Sequence, residues 1–300
     1  MRVNSNLIPN ILADLQHSQA AVNTALEEVS TGKRVTQPSD DPGASAAMVQ
    51  NGIDAANNDQ YTQNITTLQT MAQAASSALS SVVSSLTQAV GLGTEGANGT
   101  NSASNLQALA SQVQGILNSV VSQANTYVNG TYLFGGTVTG TVPYAADPAS
   151  PNGYTYSGNN NANSVAIGDH LNIQVSLPGS QVFSNPGNDV IGALSGLVTA
   201  LKSGNSASIA TATASVTSAV NYMGQQEGFY SNVQSQLNAQ GTALQQDKVT
   251  LTTQATSLVG VDLATAATDL TQAETANSAA LAAAAKVLPV SLLNYLSPPQ

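Results

Sequence analysis

Residues 209–258 read IATATASVTSAVNYMGQQEGFYSNVQSQLNAQGTALQQDKVTLTTQATSL. Every seventh residue is large and apolar: Ile209, Val216, Met223, Tyr230, Leu237, Leu244, Leu251 and Leu258. Three residues after most of these rungs lies a weaker second row, Ala212, Ala219, Gln226, Val233 and Gln240. A three-four spacing held this long predicts a helix that lays one narrow stripe against other helices. With a rise of about 1.5 Å per residue, that helix is about 75 Å long, more than a compact globule uses. The first expectation is therefore a rod, with this helix packed inside its own molecule.

Partners for the ladder lie upstream. From Pro42 a helix is expected to about Val90, its second half marked by Tyr61, Ile65, Leu68, Ala72, Ala75, Leu79, Val82, Leu86 and Ala89 at alternating four-three spacing. Gly91 to Asn101 reads as a glycine-rich turn. It is no phosphate loop, because no Gly-Lys-Ser/Thr closes it and no strand precedes it. A second helix is expected over 103–128, with Leu106, Ala110, Val113, Leu117, Val120, Ala124 and Tyr127 inward and Asn129-Gly130 as its stop.

Between these helices and the ladder the texture changes. Thr131-Tyr132-Leu133-Phe134, Thr137-Val138-Thr139, Tyr154-Thr155-Tyr156, Val165-Ala166-Ile167 and Leu171-Asn172-Ile173-Gln174-Val175 are β-branched or aromatic runs bounded by Gly, Pro, Asn and Asp. They predict a small antiparallel β insert, with Gly168-Asp169 as one hairpin turn. Helix resumes at Asn188-Asp189, with Val190, Leu194, Leu197 and Leu201 inward, and breaks at Gly204.

Both ends of the chain carry weaker stripes. Ile8, Ile11, Leu15, Ser18, Val22, Ala25 and Val29, widened by Leu12 and Leu26, predict a helix from about residue 8 to Gly32. After a break at Gly260, Leu263, Ala267, Leu270, Glu274, Asn277, Leu281, Ala284 and Leu288 predict another, ended by Pro289. In Ser39-Asp40-Asp41-Pro42 an aspartate caps the next helix and Pro42 occupies its first position. Metal binding by the two aspartates is disfavoured, because no further ligands lie at usable spacing. Stripes this narrow need partner helices, so the two ends are expected side by side.

Composition removes several classes of function. Charged residues are 7% of the chain, against about 25% in ordinary soluble domains. Six Lys and Arg against sixteen Asp and Glu give a net charge of −10. No basic face is available for phosphates, so neither nucleic acid nor an anionic membrane is an expected partner. A surface of Ser, Thr, Asn and Gln repels its neighbours weakly and suits a subunit packed against copies of itself. Cysteine is absent, which excludes disulfides and thiolate chemistry and fits life outside the cytoplasm. The opening Met1-Arg2-Val3-Asn4-Ser5-Asn6 leads into no apolar signal segment, so export would take a signal-independent route.

No catalytic, cofactor or metal site is expected. The two histidines, His17 and His170, have no His-Glu-x-x-His spacing. Asp169-His170 lies at a predicted turn, with no nucleophile elbow on an α/β background. Glu27-Glu28 and the other acids are scattered.

Several motifs resemble a known family. Ser30-Thr31-Gly32-Lys33-Arg34-Val35 with Pro38-Ser39-Asp40-Asp41-Pro42, Ala97-Asn98-Gly99-Thr100-Asn101-Ser102, Asn129-Gly130-Thr131-Tyr132-Leu133-Phe134-Gly135-Gly136-Thr137, Asp262 to Leu270, and Ser291-Leu292-Leu293-Asn294-Tyr295-Leu296 resemble signatures of the bacterial flagellins, most closely the branch that joins the flagellar hook to the filament. Pro9, Pro289 and the tail Ser297-Pro298-Pro299-Gln300 depart from the family pattern.

The resemblance implies a mainly α fold with a small β insert: a long antiparallel helical rod, paired N- and C-terminal coiled-coil segments and a small antiparallel β outer domain. Residues 1–38 and 260–300 would form the inner coiled coil, 39–130 and 187–259 the rod, and 131–186 the outward insert. It implies a structural subunit of the hook–filament junction, exported by the flagellar type III system. Its partners would be copies of itself in a ring, a neighbouring hook-associated protein, flagellin, and an export chaperone on the C-terminal segment. Ile8, Ile11, Leu15, Val22, Leu263, Leu270, Leu281 and Leu288 would be assembly residues, and Ser39, Asp40, Asp41 and Pro42 a structural hinge and cap. Two other readings stand beside it. One is the filament subunit itself. The other is a secreted adhesin or glycan-binding module using the face around Tyr144, Tyr154, Tyr156 and Asn159 to Asn163, whose aromatics would stack on sugars, although a small β domain needs such aromatics for its own core.

Overall fold

A computed structural model describes the backbone of residues 7–296 and the side chains of residues 9–286. Seven helices and four short hairpins follow in the order α1 (Leu7–Thr31), α2 (Pro42–Gly96), α3 (Ala103–Ala124), β1 (Tyr127–Val128), β2 (Thr131–Tyr132), β3 (Tyr144–Ala146), β4 (Tyr154–Tyr156), β5 (Ser164–Gly168), β6 (Leu171–Gln174), α4 (Gly179–Val182), β7 (Ser184–Asn185), β8 (Asn188–Asp189), α5 (Val190–Ser203), α6 (Ser206–Val259) and α7 (Leu263–Leu296). The chain divides into two compact units, one of residues 1–56 with 247–300, the other of residues 57–246.

The core of the 57–246 unit is built by the ladder. Ile209, Val216, Met223, Tyr230, Leu237 and Leu244 are all buried, in one cluster with the α2 stripe from Ile65 to Ala89, the α3 stripe and Val190 to Leu201 of α5. The second row divides by chemistry: Ala219 and Val233 are buried, while Gln226 and Gln240 are only half-buried. Helices α2 and α6 run antiparallel. Asn58 Nδ2 donates to the Leu244 carbonyl at 3.0 Å, Gln69 Nε2 to Asn238 Oδ1 at 2.8 Å and Gln234 Nε2 to Gln73 Oε1 at 3.0 Å.

Glycines marked the expected end of α2, yet the helix runs through Gly91 and Gly93 to Gly96. These glycines serve packing. A Cβ on Gly93 would collide with the Thr213 hydroxyl, and one on Gly96 with a Leu201 methyl. The side-chain-free surface lets α5 and α6 approach, and that gain outweighs the helix propensity lost. Helix α3 follows the Ser102 N-cap and ends at Ala124 with Asn125 as its C-cap, four residues short of the expected end. Asn129 and Gly130 instead form the two-residue turn of the β1–β2 hairpin, with φ of 50° and 85°.

The β insert is a set of separate two-stranded antiparallel hairpins, β1–β2, β3–β4, β5–β6 and β7–β8. Thr137-Val138-Thr139 is not a strand; the Tyr132 N–H donates to the Thr139 carbonyl at 2.9 Å across an irregular loop. The β5–β6 turn is Asp169-His170, one residue later than expected, with His170 at φ 56°. Helix α5 begins after Asp189, whose Oδ1 accepts from the Gly192 N–H at 2.8 Å, and ends at Gly204 in the left-handed conformation.

The insert's aromatics are spent on its interior. Phe134 and Phe183 meet edge to face with centroids 5.0 Å apart, and Tyr144 packs on Tyr156 at 5.1 Å. The Tyr144 hydroxyl donates to the Gly179 carbonyl at 2.8 Å, and burial pushes its pKa up. The Tyr156 hydroxyl lies 3.0 Å from the Phe134 carbonyl, and the Tyr154 hydroxyl donates to Asn118 Oδ1 at 3.0 Å.

Candidate assembly surface

In the 1–56/247–300 unit, α1 lies antiparallel against α7. Among the described residues the buried apolar ones of this pair are alanines: Ala25, Ala266 and Ala284. On α1 the inward stripe is the expected one, with Ile11, Leu15, Ser18, Val22 and Val29 half-buried beside Ala25. On α7 it is rotated from the expected positions. Ala266, Leu270, Ala273, Asn277, Ala280 and Ala284 face inward, and Ala267 and Glu274 are exposed. Small residues let two helices come close. The larger Leu263 and Leu281 are left outside, 58% and 49% exposed. Leu12 and Leu26 of α1 are likewise 56% and 54% exposed.

This pair is weakly held. An alanine contributes one methyl group of buried surface, roughly 0.8 kcal/mol, a fraction of what a buried leucine gives. Within the stripe, the Ser18 hydroxyl and the Asn277 carboxamide oxygen are shielded from solvent without a hydrogen-bond partner. Each such group costs about 1–3 kcal/mol. Beside it, His17, Ala20, Ala21, Thr24 and Glu28 of α1 and Asp269 and Ala273 of α7 line an open groove.

Of the eight expected assembly residues, Ile11, Leu15, Val22 and Leu270 lie along the α1–α7 contact, and Leu263 and Leu281 lie outside it. The side chains of Ile8 and Leu288 lie outside the described residues. Helix α7 runs through Pro289 to Leu296, where a stop was expected. A proline removes one helix hydrogen bond without obliging the chain to turn.

The linkers flanking this pair are ordered by specific bonds. Gly32, at φ 69°, ends α1. Lys33 and Gly260 form an antiparallel bridge, in which the Arg34 N–H donates to the Val259 carbonyl at 2.7 Å and the Val261 N–H to the Gly32 carbonyl at 3.1 Å. Asp41 Oδ1 accepts from the Ala44 N–H at 2.9 Å, which caps α2 at Pro42. Asp40 Oδ2 accepts from the Gln37 N–H at 2.8 Å and the Thr36 N–H at 3.1 Å, and Ser39 lies in the turn closed by the Asp40 N–H on the Gln37 carbonyl. Val35, Ala44 and Val259 make a small core beneath. That cluster and the bridge were not expected. Their one trace in the sequence is the matched placement of Gly32 and Gly260 between predicted helices.

These bonds hold both carboxyls below their ordinary range, Asp40 chiefly through the Gln37 amide and Asp41 chiefly through the Ala44 amide and then Arg34. A carboxylate depressed by folding stabilises the fold above its unfolded pKa, and loses that contribution as pH falls through the folded one. The cap and turn therefore persist at neutral pH and weaken below about pH 4. Amide exchange at Gln37 and Ala44, corrected for intrinsic rates, should be faster at pH 3 than at pH 6. Equal protection at both would contradict this.

Among the described residues no three His, Asp or Glu side chains converge as a metal site, and no helix is long and apolar enough to cross a membrane. His170 faces solvent beside Asp169, 3.5 Å away.

The class so defined is a mainly helical protein with small β hairpins, whose first and last helices pair loosely and expose large apolar side chains. Residues 3–139 match the bacterial flagellin N-terminal helical region and residues 213–296 the bacterial flagellin C-terminal helical region. Together they take up most of the chain, which belongs to the bacterial flagellin family. It is 35% identical over 134 residues to flagellar hook-associated protein 3 of Escherichia coli (strain K12), across 44% of this chain and 42% of that protein. To flagellar hook-associated protein 3 of Salmonella typhimurium (strain LT2) it is 31% identical over 191 residues, across 62% of this chain and 57% of that protein. The matches thus span about half the length of these relatives. In fold the chain is similar to the crystal structure of Bacillus cereus FlgL, with a TM-score of 0.60 at 22% identity, over 69% of this chain and 99% of that one.

Proposed function

We propose that this chain is a structural subunit of the bacterial flagellum that joins the hook to the filament and assembles through its terminal helices. The observation that carries the reading is the contrast between its two units. The 57–246 unit closes its own apolar core, whereas the α1–α7 pair exposes Leu12, Leu26, Leu263 and Leu281. Exposed leucines on weakly paired helices call for partner helices. In this reading 1–38 and 260–300 form the inner coiled coil, 39–130 and 187–259 the rod, and 131–186 the outward insert. Ile8, Ile11, Leu15, Val22, Leu263, Leu270, Leu281 and Leu288 act in assembly, and Ser39 to Pro42 act as hinge and cap. The partners are copies of itself in a ring, a neighbouring hook-associated protein, flagellin, and an export chaperone on the C-terminal segment. Export runs through the flagellar type III system to the cell exterior.

The names of the two hook-associated relatives support this branch of the family. The second reading, a filament subunit, has support from the flagellin regions that match both ends of the chain. Deleting the gene in its host separates the two. A junction subunit's loss should leave hooks without attached filaments while filament protein is shed into the medium. Normally attached filaments in the deletion strain would sink the proposal, and loss of the main filament protein itself would favour the second reading.

A further inference from the structure

We propose that Arg34 is a positioning residue that clips the α1–α2 linker to the end of α6, so that both linkers act as one joint and α1 and α7 leave it side by side. Its Nη2 lies 3.2 Å from Asp41 Oδ2 and 3.4 Å from the Leu258 carbonyl. Asp41 caps the start of α2, and Leu258 lies in the last turn of α6. One guanidinium therefore touches the carboxylate at a helix N-terminus and an orphan carbonyl at a helix C-terminus, each a favourable partner for its charge. The same residue's N–H makes the 2.7 Å bond to Val259 that closes the bridge between linkers. Backbone and side chain of Arg34 thus hold the same joint. Gly260 completes it, because a Cβ there would collide with the Thr256 carbonyl.

Energetics give the clip its consequence. Among the described residues the α1–α7 contact fully buries only alanines, leaves its larger apolar side chains half-buried and contains two unsatisfied polar atoms, so it gains from having its ends brought together. A joint that holds the end of α1 beside the start of α7 removes much of the entropy cost of pairing them. Both contacts come from the one nitrogen Nη2. A lysine keeps the charge, but its shorter unbranched stem carries the ammonium short of that position, so it recovers only part of the contact.

Amide-resolved hydrogen exchange on the purified full chain tests the clip. In Arg34→Ala the Arg34 and Val261 amides should exchange about tenfold faster after correction for intrinsic rates. Amides of the 57–246 unit should be unchanged, and Arg34→Lys should recover part of the protection. Unaltered protection in Arg34→Ala, or no protection of these amides in the unsubstituted chain, would overturn the inference. The value of the joint to assembly rests on the junction reading, but the exchange measurement does not. A deletion strain that keeps its filaments counts against the junction alone.

Discussion

Leu237→Ala is expected to destabilise the 57–246 unit by about 2–5 kcal/mol, whereas Leu251→Ala, two rungs further along the same ladder, should cost well under half as much. Leu237 is fully buried within the main cluster, and its truncation leaves a cavity that neighbours from other helices cannot close. Leu251 is half-buried in the other unit, so part of its side chain is already in water. Urea unfolding followed by far-ultraviolet circular dichroism, which sees the helices of both units, and by tyrosine fluorescence measures the two losses. Eight of the nine tyrosines fall within residues 57–246, so the fluorescence reports that unit. Equal losses from the two substitutions would mean that the ladder is packed uniformly, against the burial observed.

Leu12, Leu263 and Leu281 changed together to Asp should leave the tyrosine-detected transition unmoved and abolish filament attachment. Each of the three leucines is about half or more exposed. Exposed substitutions shift stability by about 0.5 kcal/mol or less each. An aspartate buried against a partner helix without a counter-ion costs several kcal/mol, on the order of a hundredfold or more in association. Filaments counted on cells that carry the triple variant provide the readout, with secreted variant protein measured in the medium to establish export. Normal attachment would remove these positions from the assembly surface. A lowered unfolding midpoint would instead assign them to the fold.

Much of the helical plan was legible because it rests on period. The α6 ladder and the second half of α2 carry apolar residues at heptad spacing, and burial follows them from Ile65 to Ala89 and from Ile209 to Leu244, while Leu251 and Leu258 are half-buried. The errors cluster at glycine, asparagine and proline, where one residue type serves two purposes. Gly93 and Gly96 read as a turn, yet they make room for Thr213 and Leu201. Asn129-Gly130 reads equally as a helix stop or a hairpin turn, and Asn125 had already ended the helix. Pro289 lies inside a helix that tolerates it.

On the candidate surface, the pairing of the chain ends was legible and the face of α7 was not. Its sequence is so rich in alanine that Ala266 and Ala267 compete for the same role, and only close approach to α1 selects between them. Arg34 stands within the Ser30 to Val35 motif, but no local pattern indicates that its side chain will reach Leu258, 224 residues away.

The amide contacts between α2 and α6 have a consequence for the medium in which the chain works. Gln69 with Asn238, Gln73 with Gln234 and Asn58 with the Leu244 carbonyl join the two helices through neutral groups. Dissolved ions screen attraction between charges over a Debye length of about 8 Å at physiological strength, but they leave neutral hydrogen bonds and alkyl packing largely untouched. These two helices therefore grip one another in dilute and concentrated salt alike.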